Sequence, residues 1–152
     1  MIQFVLGIIS LLAGAALAMQ SAVNGALRIT TRSPLFASIA SFSGGLLLLP
    51  WMLILSHIAG FYEVPTLELL KEETEWWMYV GGILGVILVL GSVLITKKIG
   101  FTPYFSLLIA GQLVGSVLAD SVGFLGGEVI IPDLRRISGI IILVMGAILT
   151  QK

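Results

Sequence analysis

The sequence predicts an all-α polytopic membrane protein with five transmembrane helices, forming one domain over residues 1–152. Three observations carry that expectation. Hydrophobic residues make up 58% of the chain and charged residues 11%, and mean hydropathy is +1.12. No soluble fold covers that much apolar surface with so few charges. Apolar stretches recur that approach the roughly 20 residues needed to cross hydrocarbon at 1.5 Å per residue. Basic residues, prolines and tryptophans punctuate their ends.

The first predicted helix runs over about residues 2–27 and turns polar late, at Gln20, Ser21 and Asn24. Its "ALA" stretch imitates a signal-cleavage site, but no basic n-region precedes it and further spans follow, so a first span is expected. The second covers about 34–57, with Pro50 and Trp51 near its end. A long acidic connection, "EVPTLELLKEETE", is expected to form a helix at the membrane surface. The third spans about 76–96, its head placed in the aromatic belt by Trp76, Trp77 and Tyr79. The fourth covers about 103–124. The fifth, about 134–150, is short, and snorkelling by Arg135 and Arg136 leaves it barely long enough. Four spans plus a buried helix is the rival arrangement.

Ser33-Pro34 and Thr102-Pro103 each read as an N-cap followed by proline at the first helical position. On the five-span reading, Arg28, Arg32, Lys97, Lys98 and Lys152 fall on one side, and Lys71, Arg135 and Arg136 on the other. The bias favours an outside N-terminus and a cytoplasmic C-terminus, and it is small enough to suggest dual insertion. Net charge is zero, which removes the case for nucleic-acid binding. With no cysteine, disulfides and thiolate metal sites are excluded.

In the fourth segment, "AGQLVGSVLAD", Gln112, Ser116 and Asp120 recur every fourth residue and form a polar line on a helix. The predicted boundaries place Asp120 roughly 9 Å from the bilayer centre. An ionised carboxylate there costs several kcal/mol unless paired or wetted. With no Lys or Arg expected within the spans as a partner, Asp120 either faces water or holds a proton. Gln112 and Ser116 line a hydrated path or bond to a neighbouring helix. Gln20 and Asn24 form a second polar pair, although Asn24 near a helix end also fits a cap. Gly81, Gly85, Gly111 and Gly115 have the small-residue spacing that lets helices approach closely in lipid, as helix-packing or dimer contacts.

His57 is the single histidine and reads as interfacial. No nucleophile with a partner base, phosphate cradle, cofactor site or metal cluster is legible, so the chain is not expected to be an enzyme.

The segments "MQSAVNGALRITTRSPLFASIASFSGG", "EWWMYVGGILGVILVLGSVLITKKIG" and "AGQLVGSVLADSVG" resemble the short YdcZ-like family. This is a bacterial branch of the drug/metabolite transporter superfamily, described as inner-membrane exporters. The resemblance implies half of an inverted-repeat transporter fold, in which the five-helix chain pairs with an antiparallel copy or a sister chain. Small multidrug-resistance proteins are similar in using antiparallel dimers, but their first-helix glutamate has no counterpart here.

The resulting expectation is a secondary-active transporter subunit in the bacterial inner membrane, exporting a small polar or cationic metabolite or drug with proton coupling. Its path would lie between two chains and be lined by Gln20, Asn24, Gln112, Ser116 and Asp120. The alternatives are a small channel and a non-transporting accessory subunit.

Overall fold

In hydrocarbon a backbone amide has no water to bond, so a spanning segment must satisfy its polar groups within itself. The computed structural model, which describes residues 1–124 and 127–151, meets that demand with helices and has no strand among the described residues. The order is α1 (Ile2–Thr31), α2 (Pro34–Ile58), α3 (Leu67–Glu72), a 3-10 turn (Trp76–Tyr79), α4 (Val80–Ile99), α5 (Phe101–Val122) and α6 (Leu134–Leu149). Among the described residues, four segments are long and apolar enough to cross a membrane: Ile2–Thr31, Pro34–Ile58, Trp76–Ile99 and Phe101–Val122. The expected fifth segment is helical, but α6 has 16 residues and extends only about 24 Å at 1.5 Å per residue. That falls short of the roughly 30 Å of a typical hydrocarbon core.

Burial in these helices mixes small polar and apolar residues, unlike the core of a soluble protein. The buried residues of α1 are both polar, Ser21 and Asn24. Those of α2 are Ala37 and Ser38, and on α4 Val89, Ser92, Val93 and Thr96 share one stripe. Meanwhile Leu46, Leu47, Leu48, Ile83 and Leu84 are exposed, as suits side chains whose solvent is lipid. Several helix hydroxyls bond to their own helix: Ser10 donates to Leu6 O at 2.9 Å, Ser38 to Pro34 O at 3.1 Å, and Ser92 to Val89 O at 2.8 Å.

The boundaries reward some expectations and correct others. Ser33 caps α2, its Oγ accepting from Phe36 N at 3.1 Å with Pro34 in the first turn. Thr102 does not cap α5. Gly100, at φ 91° and ψ 166°, makes the break, and the helix starts at Phe101. Pro103 still fits, because the first-turn amides have no intrahelical acceptor. α1 continues past the expected end to Thr31, which puts Asn24 inside the helix and buries it, so it does not act as an end cap. The acidic connection contains the short α3, with Thr66 Oγ1 accepting from Leu69 N at 3.2 Å. His57 lies at the end of α2, its Nδ1 3.3 Å from Tyr62 O.

The chain divides into two compact units, Met1–Leu94 and Ile95–Lys152. Within the first, α1 packs on α2, and Gln20 Nε2 donates to Ser41 Oγ at 3.0 Å. Arg28 Nη1 reaches from α1 to Val93 O on α4 at 2.7 Å. Within the second, α5 packs on α6. The chain leaves α5 through Gly123 in the left-handed region at φ 60°, and Ile130 N folds back to donate to Asp120 O at 2.9 Å. That return brings the first turn of α6 to the last turn of α5.

Candidate functional site

Asp120 sits in the final turn of α5, about 13 Å along the axis from the helix midpoint at 1.5 Å per residue. This is farther from the centre than the sequence reading placed it, because the helix starts and stops about two residues earlier than expected. On a span centred in the bilayer that distance is near the edge of the hydrocarbon, about 15 Å from the centre.

The expectation that no basic residue could pair with Asp120 is corrected. Arg136 Nη1 stands 3.3 Å from Asp120 Oδ2, and the two side chains are 48% and 44% exposed. Sequence reasoning assigned Arg136 to the flank of the last helix. The return of the chain after Gly123 brings it to the carboxylate, and no local periodicity signals such a turn. Asp133 caps α6 by accepting from Arg136 N at 2.9 Å, which fixes where that first turn begins. Two effects favour the pairing: a carboxylate at a helix C-terminus opposes the helix dipole, and so does a guanidinium at an N-terminus. Each neutralises the other's unfavourable placement.

Around the pair is a cleft of about 290 Å³. Ser116, Asp120, Arg135 and Arg136 give it a polar end, and Leu113, Val117, Ile140 and Leu143 its apolar walls. Ser116 Oγ is turned to its own helix, donating to Leu113 O at 2.9 Å. Gln112 is exposed on α5 and is not among the residues lining this cleft. The structure thus brings two members of the polar line, Ser116 and Asp120, together with two arginines. Its chemistry is that of a half-exposed carboxylate–guanidinium pair at the polar end of a cleft with apolar walls.

Gln20 and Asn24 lie in the other unit. Gln20 is exposed and borders a second cleft of about 400 Å³ with Ser41, Phe42 and Val89. Asn24 is 5% exposed. Of the four singled-out glycines, Gly85 approaches another helix: a Cβ there would meet Phe42 Cζ at 3.4 Å. At Gly81, Gly111 and Gly115 a Cβ would meet nothing within 4 Å in this chain.

Comparison with known proteins adds one match. A family described as "Putative inner membrane exporter, YdcZ" matches residues 5–149. No curated protein and no solved structure matches. The matched range reaches into both units and includes the Asp120–Arg136 pair, three candidate spans whole and the first from residue 5. On that coverage and on its membrane-length helices, the chain belongs to the YdcZ inner membrane exporter family.

Proposed function

We propose that the protein is a subunit of a small secondary-active exporter in which protonation of Asp120 is coupled to movement of a small polar solute. The observation that carries this reading is the Asp120–Arg136 contact, an exposed ion pair opening onto a cleft in a lipid-facing chain. A carboxylate held by a single guanidinium has two low-energy partners, that guanidinium or a proton. Exchange between them loosens or restores the tie from α5 to α6, which is a bistable element of the kind transport requires. A cationic group on the solute would act by displacing Arg136 in the same way.

The working unit in this reading is an antiparallel pair, formed with a second copy or a sister chain. The near-even distribution of Lys and Arg supports it, as does the open space at Gly111 and Gly115, which leaves room for a close helix from outside the chain. α6 serves as the fifth span where the bilayer thins and where Arg135 and Arg136 snorkel to the interface. Inverted pairing of five-helix units places the solute path at the repeat interface.

The test is reconstitution in liposomes loaded with a pH-sensitive dye, challenged with a panel of polar and cationic metabolites. Coupled transport predicts a solute-evoked change in internal pH that collapses with a protonophore. Solute flux at single-channel rates without proton movement would indicate a channel, and no flux with any solute an accessory subunit.

A further inference from the structure

Two residues on one stripe of α1, Ser21 and Asn24, have polar atoms that the fold does not satisfy. Ser21 is 2% exposed and Asn24 is 5% exposed, and neither Ser21 Oγ nor Asn24 Nδ2 has a hydrogen-bond partner. Their setting makes this unusual, since Ser38 and Ser92, also buried, bond back to their own helix carbonyls. Buried polar atoms without partners are rare because each forfeits its hydration.

Arg28 lies one turn further along the same stripe. It does not snorkel outward: its Nη1 donates at 2.7 Å to the carbonyl of Val93, which is 1% exposed. That contact uses one of five guanidinium donors and supplies no negative charge. Among the described residues Arg28 has no ion-pair partner. Every carboxylate side chain of the first unit falls between Glu63 and Glu75, in the connection before α4. The α1 C-terminal carbonyls offset part of the charge, through the helix dipole alone.

Helical side chains lean towards the N-terminus, which for Arg28 is the direction of Asn24 and for Asn24 that of Ser21. The groups are an amide nitrogen and a hydroxyl without partners and a guanidinium that has one carbonyl partner and no counter-charge. All can donate, and one carries an uncompensated positive charge. Their complement is an acceptor-rich anion with at least two oxygens, which a guanidinium binds through parallel hydrogen bonds.

We propose that Ser21, Asn24 and Arg28 form a binding site for an oxyanion group, the carboxylate or phosphate of a small solute or of a lipid headgroup. That the anion is the exported solute rests on the transport reading above; that an anion binds here does not.

The test uses the full chain in nanodiscs of zwitterionic lipid, at constant ionic strength set with chloride. Melting temperature is followed while acetate, succinate or inorganic phosphate is titrated, and separately as phosphatidylglycerol replaces the zwitterionic lipid. A saturable rise is expected in at least one arm, since a ligand that binds only the folded state stabilises it by mass action. A rise confined to soluble anions assigns the site to a solute, and one confined to phosphatidylglycerol assigns it to a headgroup.

Arg28→Gln should weaken half-saturation about tenfold or more, the loss of one charge-assisted contact. Arg28→Lys should retain part of the affinity. Ser21→Ala and Asn24→Ala, which leave the charge in place, should each weaken it about threefold or more and stand in for Arg28→Gln should that variant not fold. No rise in any arm, or unchanged half-saturation in the folded variants, would overturn the site. The melting titration needs neither a proton gradient nor solute flux, so failure of this site and failure of the proton-coupling reading are separately visible.

Discussion

Arg136 Nη1 lies 3.3 Å from Asp120 Oδ2, joining the first turn of α6 to the last turn of α5. Both side chains are nearly half exposed, and exposed pairs contribute about 0–1 kcal/mol to stability. The pair is therefore weak as a structural tie. Arg136→Gln should lower unfolding stability by less than about 1 kcal/mol, measured by thermal or denaturant melting in detergent. A loss of several kcal/mol would mean that the pair holds the fold and is not a switch.

How far the sequence reveals this arrangement differs from residue to residue. Ser33-Pro34 was readable because capping and proline geometry act over three or four residues. The four long spans were readable because lipid imposes length and apolarity directly. Asp120 stood out as a carboxylate with no obvious local reason. Its partner did not, because the return from Gly123 to Ile130 depends on tertiary contact and leaves no periodic trace. Asn24 was misread as a possible cap because the end of α1 is set beyond it: Arg32 adopts a left-handed conformation at φ 56°, and non-glycine residues take that conformation too seldom for sequence to announce it.

The glycines separate contacts within the chain from contacts outside it. Gly85→Leu should destabilise the folded chain by about 1–3 kcal/mol, the usual scale of overpacking, because the new side chain meets Phe42 on α2. Gly115→Leu has open space around it in this chain and should leave the melting temperature of the isolated chain unchanged. Cross-linking or light scattering should instead show a weakened pair. Equal effects of both variants on the isolated chain would contradict this division.

Gly123 controls the position of Arg136. Its φ of 60° strains any other residue, and a Cβ would lie 2.8 Å from Gly127 O and 2.9 Å from Val129 Cγ2. Gly123→Ala should cost about 1 kcal/mol or more and impair transport by shifting the start of α6. Wild-type stability and transport in this variant would show that the turn does not position the pair.

Antiparallel pairing predicts that a reporter on the C-terminus is found on both sides of one membrane, or on one side with a sister chain oppositely inserted. A fully active, monodisperse monomer in nanodiscs would rule the pairing out.

In the proposed mechanism the Asp120 carboxylate exchanges Arg136 for a proton during transport. Its most direct test is Asp120→Asn in the proteoliposome assay, compared with the wild-type chain across a range of pH. Asparagine keeps the size and hydrogen-bonding capacity of the protonated acid but carries no exchangeable charge. The variant should express and assemble normally, yet lose solute-evoked proton movement and the pH dependence of flux. Normal coupled transport by Asp120→Asn, with the wild-type pH profile, would show that the carboxylate is structural and contradict the mechanism.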